Sequence, residues 1–224
     1  MDREKLGKGL MELVGTAILL MTIQVSVGIG SALAPLAIGG VLITLVYAGG
    51  PISGAHYNPA ISLAILLRGE MTLHHMLVYW VSQIVGGCLG ALLGGILDGG
   101  IYSNVALGSK STMTQALLAE VVFTFLLCFV VLSVATHSKV GGNYYYGTSI
   151  GLVVMVGAIT VGPISGGAFN PAVALGLSVA KGFDSMGYVV SVAIANLLGG
   201  AAAAGIFFLV APDQYSSISY SNIV

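Results

Sequence analysis

Charged side chains are scarce in this sequence of 224 residues. Asp, Glu, Lys and Arg make up 7% of the chain, whereas soluble domains carry roughly 25% of these residues. So few charges cannot cover the surface of a water-soluble globule of this size. The composition therefore excludes a cytosolic enzyme and a disordered protein.

Basic clusters, a cysteine framework and catalytic motifs are missing as well. The formal net charge is −1, and no basic patch offers the phosphate-binding footprint that a nucleic-acid partner requires. Cys88 and Cys128 lie in apolar stretches and are interpreted as small packing residues. No nucleophile–base pair, metal-ligand spacing or phosphate-binding loop occurs, so we expect no catalytic residues, no metal and no cofactor.

Long apolar runs are what the chain has in abundance. Hydrophobic residues make up 57% of the sequence, and the mean hydropathy is +1.01. A bilayer core requires about 20 apolar residues per helix, so these runs predict an integral membrane protein. The first run is too long for a signal peptide and contains Glu12, and we interpret it as a span. The six predicted spans are residues 9–29, 34–50, 75–97, 114–136, 147–163 and 187–211.

Two of these spans end at Gly-Pro pairs, which predict breaks in the helix. Gly50-Pro51 closes the second span and Gly162-Pro163 closes the fifth. A shorter apolar stretch follows each break, at residues 58–68 and 170–180. A helix of about ten residues covers about 15 Å, half the hydrocarbon thickness. We therefore expect two half-helices that enter the membrane without crossing it.

One motif occurs twice, half a chain apart. Residues 50–60 read GPISGAHYNPA and residues 162–172 read GPISGGAFNPA, with eight of eleven positions identical at an offset of 112. Each half would hold three spans and one half-helix, and because three is odd, the second half enters the membrane inverted. Inverted repeats are typical of transport folds, with the functional site near the midplane. We predict one transmembrane domain, 1–224, with repeats 1–112 and 113–211 and a polar tail, 212–224.

The Asn-Pro-Ala triplet in each copy predicts the start of a helix. Asparagine is a favoured N-cap, and proline at the first helical position loses no hydrogen bond. Asn58-Pro59-Ala60 and Asn170-Pro171-Ala172 therefore begin the half-helices, which the inverted topology brings end to end at the bilayer centre. We expect the amide N–H groups of both asparagines to face the space between the helices.

These features together predict a narrow pore. Two amide donors can orient a passing water or hydroxyl-bearing solute, and the two positive helix ends disfavour cations. The irregular Gly-Pro-Ile-Ser-Gly backbones are expected to leave carbonyls unpaired, which is tolerated at membrane depth only against protein or a water-filled cavity. Those carbonyls would form a ladder of acceptors for the same solutes.

The sequence resembles the major intrinsic protein family, the aquaporins and aquaglyceroporins. The resemblance covers essentially the whole chain and includes both Asn-Pro-Ala boxes, the run Glu12-Leu13-Val14-Gly15-Thr16, Tyr79-Trp80 and Gln83. It implies an all-α membrane protein, an aquaporin-like right-handed bundle of six transmembrane helices plus two re-entrant half-helices. It also implies a homotetramer with one pore per subunit and passive conduction without a cofactor.

The residue after the second Asn-Pro-Ala departs from the family pattern. Members usually carry an arginine there, which lines the narrowest constriction together with aromatic residues, but this chain has Val173. The other filter positions, carried over by their distances from the asparagines, are Ile38, Ala158 and Gly167. All four positions are apolar and none is aromatic, so we expect a wider and more apolar filter than in a water-selective channel.

The resemblance and this filter lead to one preferred function and two alternatives. We expect a passive channel for small uncharged solutes such as glycerol, urea, ammonia, peroxide or neutral metalloid hydroxides, with water also able to pass. Without the arginine, the barrier to protons and ammonium rests mainly on the half-helix dipoles. The alternatives are a water-selective aquaporin that selects at Asn58 and Asn170, and a poorly conducting junctional or scaffold protein of the same fold.

Four further polar residues lie in or beside predicted membrane segments. Glu12 and Glu120 suggest a proton relay or, in the interpretation we prefer, acceptors for backbone N–H groups of the nearby loops. His56 either offers its carbonyl or ring to the pore or packs the loop. Asn196 stands where the family often has proline and predicts a straighter helix or an extra polar contact.

Basic residues predict the orientation of the chain. With the N-terminus in the cytoplasm, five of them lie inside and two outside, in agreement with the positive-inside rule. The inside set is Arg3, Lys5, Lys8, Arg68 and Lys139, and the outside set is Lys110 and Lys181. We therefore expect a multi-pass protein of the cell membrane, in contact with membrane lipid, with both termini cytoplasmic.

Overall fold

The structure, a computed structural model, describes residues 3–215, and every regular element in that range is helical. The helices are α1 (Arg3–Gly28), α2 (Ala34–Ser53), α3 (Pro59–Arg68), α4 (Leu73–Leu97), α5 (Met113–Val131), α6 (Tyr146–Thr160), α7 (Gly162–Ser165), α8 (Pro171–Ala180) and α9 (Met186–Val210). A π-helix, Leu132–Thr136, extends α5, and 3₁₀ turns lie at Ser138–Val140 and Pro212–Gln214. The predicted all-α fold is confirmed, while residues 216–224 of the predicted tail lie outside the described residues.

Five helices are long and apolar enough to cross a membrane, and they make the chain a multi-pass membrane protein. They are α1, α2, α4, α5 with its π-helical extension, and α9. The remaining predicted span, 147–163, corresponds to α6, which has only 15 residues. A helix of that length covers about 22 Å, and the single turn of α7 continues the segment to Ser165.

The predicted break at Gly50-Pro51 is wrong. α2 runs through Pro51 to Ser53 and ends at Gly54, which has a φ of 84° and donates its N–H to the Gly50 carbonyl at 3.0 Å. Proline in a helix forfeits one backbone hydrogen bond, and here that loss falls in the last turn, where it does not stop the helix. The Gly-Pro-Ile-Ser segment is therefore helical, and the irregular backbone begins only at Gly54.

The second copy of the motif breaks earlier than the first. α6 ends at Thr160, and the following Gly-Pro-Ile-Ser forms the separate turn α7. The Thr160 hydroxyl donates to the Val156 carbonyl at 2.7 Å, a contact of the kind that competes with backbone bonding and bends helices. The equivalent position of the first copy is Ala48, which has no such group.

Both half-helices begin where the Asn-Pro-Ala triplets predict. Asn58 and Asn170 are extended N-caps whose side-chain oxygens accept from the N–H of Ala60 and Ala172, each at 2.9 Å. Proline occupies the first turn in both cases. Each half-helix has ten residues, as the apolar stretches predicted.

Glycines allow the long helices to approach the half-helices closely. α4 packs against α8, and α9 packs against α3. A Cβ on Gly87 of α4 would lie 2.9 Å from the Ala172 carbonyl oxygen, and one on Gly200 of α9 would lie 2.7 Å from that of Ala60. Each half-helix start is thus pressed against a helix of the other half of the chain.

Candidate functional site

A cavity of about 380 Å³ lies where the two half-helices meet. Its lining includes Asn58, Asn170 and all four predicted filter positions, Ile38, Ala158, Gly167 and Val173. Among the described residues, no Asp, Glu, Lys or Arg lines it. Most of the lining side chains are aliphatic, and the polar side chains among them include His56, Ser103 and Asn104 besides the two asparagines.

The two asparagines tie the opposing loops together. Asn58 Nδ2 donates to the Phe169 carbonyl at 2.8 Å, and Asn170 Nδ2 donates to the Tyr57 carbonyl at 2.8 Å. An amide NH₂ group has two hydrogens. The amide groups of both asparagines were expected to face the space between the half-helices, and the structure shows that one hydrogen of each is used by the loop of the opposite half.

The irregular backbone of each loop runs from the end of one helix to its asparagine. Residues 54–57 and 166–169 occupy these positions. Ala55, Tyr57 and Phe169 have φ values of 53°, 50° and 49°, a left-handed conformation that costs energy in residues other than glycine. The Gly-Pro-Ile-Ser segments that were expected to be irregular are thus helical, and the irregular backbone is confined to these residues, several of which line the cavity.

Glu12 holds the first loop in this conformation. Its Oε1 accepts from the Ser53 hydroxyl at 2.6 Å and the His56 N–H at 3.0 Å, while its Oε2 accepts from the Tyr57 N–H at 2.6 Å. Gln83 Nε2 adds a fourth donor at 2.8 Å. Glu12 is fully buried, and these donors satisfy both carboxylate oxygens.

Glu120 holds the second loop in an equivalent way. Its Oε1 accepts from the Ser165 hydroxyl at 2.7 Å and the Ala168 N–H at 3.0 Å, and its Oε2 accepts from the Phe169 N–H at 2.8 Å. Asn196 Nδ2 donates to the same Oε2 at 2.7 Å. Of the two alternatives for Asn196, the structure therefore shows the extra polar contact.

His56 takes part in the first loop and also lines the cavity. Its Nδ1 lies 3.0 Å from the Ser62 hydroxyl, and its ring meets that of Tyr79 edge-on at 5.2 Å. The residue is 8% exposed. The ring is thus packed within the loop while part of the residue contributes to the cavity lining.

The predicted filter positions differ in how they are held. Ile38 on α2 and Val173 in the first turn of α8 are buried. Gly167 has a φ of 64°, and a Cβ on it would lie 3.2 Å from the Cα of Gly162. The sequence alone suggested only that Gly167 is small, whereas the structure shows that glycine also adopts this left-handed backbone conformation without strain.

One stretch of the cavity wall is not predicted by any motif in the sequence. Residues 103–106, in the connection between α4 and α5, line the cavity. The buried Gln24 of α1 holds this connection, since its Nε2 donates to the Ile101 carbonyl at 2.9 Å and its Oε1 accepts from the Ser103 N–H at 3.1 Å. A glutamine inside an apolar span was the signal that could have indicated such a contact.

A second cavity continues the first toward the end of α5. It measures about 250 Å³ and is lined by parts of the π-helix and of residues 137–143. The two cavities share Val46, Ala55 and Ile150 in their linings.

Comparisons with known proteins agree with this arrangement. Aquaporin-8 of Mus musculus is 33% identical over 188 residues, which are 78% of this chain and 71% of that protein. Aquaporin NIP1-1 of Zea mays is 32% identical over 143 residues, 63% of this chain and 50% of that protein. The chain spans about half the length of several of the curated relatives it matches.

A solved structure and a family model cover more of the chain. The X-ray structure of the aquaglyceroporin from Plasmodium falciparum has a TM-score of 0.80 at 20% identity, with 94% of this chain and 98% of that chain covered, which shows a shared fold. The family model described as Major intrinsic protein matches residues 3–207. The chain therefore belongs to the major intrinsic protein family.

Proposed function

We propose that this protein is a passive channel for small uncharged solutes such as glycerol, urea, ammonia, peroxide or neutral metalloid hydroxides, with water also passing. The observation that carries the proposal is the uncharged cavity in which both asparagines and the four apolar filter positions occur together. No catalytic step or cofactor is part of the proposal, and the chain is not an enzyme in this account.

The asparagines supply the polar contacts that a solute needs at the centre. Each keeps one amide hydrogen after bonding the opposite loop. The N-terminal ends of α3 and α8 meet at the same level and carry partial positive charge. A hydroxyl or amide oxygen is stabilised by these donors, whereas a cation is repelled.

The apolar filter sets which solutes reach the asparagines. Ile38, Ala158, Gly167 and Val173 offer no charge and no side-chain hydrogen-bonding group. A solute with a carbon backbone loses less hydration free energy when it leaves water for such a surface than a strongly hydrated solute does. Because no arginine narrows or charges the filter, larger neutral solutes are admitted. The barrier to cations then comes mainly from the positive ends of the half-helices.

The assembly and orientation form part of the same proposal. We place the protein in the cell membrane as a homotetramer with one pore per subunit, built from inverted repeats 1–112 and 113–211 within a single domain. Arg68 lies 4.6 Å from the Tyr215 ring centroid, and Lys139 pairs with Asp213 at 3.5 Å, so predicted inside residues share one face. This grouping supports a cytoplasmic C-terminus under the positive-inside rule.

The filter is tested by replacing Val173 with arginine. Stopped-flow light scattering on proteoliposomes would compare water, glycerol, urea and methylammonium for the native protein, Val173→Arg and Val173→Met. Methionine is a long unbranched side chain without charge, so it controls for length. We expect Val173→Arg to abolish glycerol and urea flux while Val173→Met reduces it only in part.

Other outcomes would replace the proposal by one of its alternatives. Native flux of water alone, unchanged by Val173→Arg, would place selection at Asn58 and Asn170. Absence of flux for every solute at high protein density would favour a junctional or scaffold role.

A further inference from the structure

Each half of the chain buries one amide side chain that donates to its glutamate. Gln83 on α4 bonds Glu12 Oε2 at 2.8 Å and the Ser62 hydroxyl at 3.0 Å. Asn196 on α9 bonds Glu120 Oε2 at 2.7 Å and the Thr124 hydroxyl at 3.0 Å. Both amides are fully buried.

Only the donor end of each amide is used. Gln83 Oε1 and Asn196 Oδ1 are buried without a hydrogen-bond partner. Turning either amide over would place its oxygen against a glutamate oxygen, which is repulsive. Position 196 therefore requires an uncharged donor, and a carboxylate or an aliphatic side chain of similar size would not replace it.

We propose that Asn196 is a positioning residue for the solute filter. Asn196 fixes the Glu120 carboxylate, which in turn holds the N–H groups of Ala168 and Phe169. The segment anchored in this way, 167–173, carries two of the four filter positions. This inference rests on the proposed function, since it assigns a role to the filter of that channel.

The corresponding amide of the first half acts on a different part of the pore. Gln83 fixes Glu12, which holds the N–H groups of His56 and Tyr57. The segment 54–58 contains none of the four filter positions. The two amides thus bond the equivalent glutamates of the two halves but support different loop segments. Gln83 is therefore a matched comparison for Asn196.

The experiment compares Asn196→Leu, Gln83→Leu and Ser178→Ala in the full chain. Ser178 is fully buried and donates to the Asp184 carbonyl at 2.7 Å, at the far end of α8 from the filter. Hydrogen exchange is measured on peptides that cover 54–60 and 166–172, and the glycerol-to-water permeability ratio is measured in proteoliposomes. Asn196→Asp, of nearly the same volume, serves as a second variant if the leucine variant does not fold.

We expect Asn196→Leu to accelerate hydrogen exchange in 166–172 by roughly tenfold, because one hydrogen bond to a charged group is lost. The same variant should raise the glycerol-to-water permeability ratio. Gln83→Leu should accelerate exchange in 54–60 instead. Ser178→Ala should change neither the exchange of these two peptides nor the permeability ratio. The inference is overturned if Asn196→Leu leaves exchange in 166–172 unchanged. It is also overturned if Asn196→Leu accelerates this exchange without changing the permeability ratio, or if all variants accelerate it equally. Absence of flux from the native protein would instead contradict the proposed function, and the exchange data would still decide whether Asn196 holds the loop.

Discussion

At the scale of single residues, buried polar groups determine the shape of the loops that line the cavity. Tyr57 and Phe169 adopt left-handed backbone conformations, which persist only when the surroundings hold them. Glu12 and Glu120 supply that restraint by accepting hydrogen bonds from four donors each, two of them backbone N–H groups. With every oxygen of both carboxylates engaged in bonding loops, the structure favours loop support over a proton relay.

Glu12→Gln tests this support directly. Glutamine keeps the size of the side chain but replaces one accepting carboxylate oxygen by an NH₂ group, which is a donor. This donor faces groups that also donate, so the Tyr57 or His56 N–H is left unsatisfied. We expect the free energy of unfolding to fall by about 2–3 kcal/mol, measured by denaturation in detergent. Lys181→Ala, which removes an exposed charge near Asp184, is the control, and an equal loss in both variants would contradict the assigned role.

At the scale of helices, the half-helices depend on glycines of the opposite half. Gly200→Ala would place a Cβ 2.7 Å from the Ala60 carbonyl, so α9 or the start of α3 must shift. We expect a loss of stability of about 1–3 kcal/mol and reduced flux in proteoliposomes. Gly205→Ala on the same helix meets no atom within 4 Å and should be neutral or slightly stabilising. Normal stability and flux in the Gly200 variant would show that the close approach is not required.

The same scale shows which features a sequence can predict. The half-helices were predictable because asparagine and proline act locally as cap and first residue. The end of α2 was not, since whether a helix tolerates Pro51 depends on how few turns follow it. The role of residues 103–106 in the cavity wall depends on the distant Gln24, and no local pattern carries that information. The amide of Asn196 was recognised as unusual, but its partner Glu120 lies 76 positions away.

At the scale of the whole molecule, the chain keeps its charges away from the pore. The buried carboxylates face the backs of the loops, and no acidic residue, lysine or arginine among the described residues lines the central cavity. The partial charges of two helix ends and the amides of Asn58 and Asn170 then belong to the electrostatic features of the cavity. In the proposed channel, selection rests on charge and on affinity for an apolar surface more than on a fixed ion.

The measurement that tests this account most directly is the permeability of the native protein to glycerol and urea. Proteoliposomes are compared with protein-free vesicles by stopped-flow light scattering, with water flux recorded in the same preparation. We expect glycerol and urea to enter far faster than through lipid alone. Water flux without any glycerol or urea flux would contradict the proposed function.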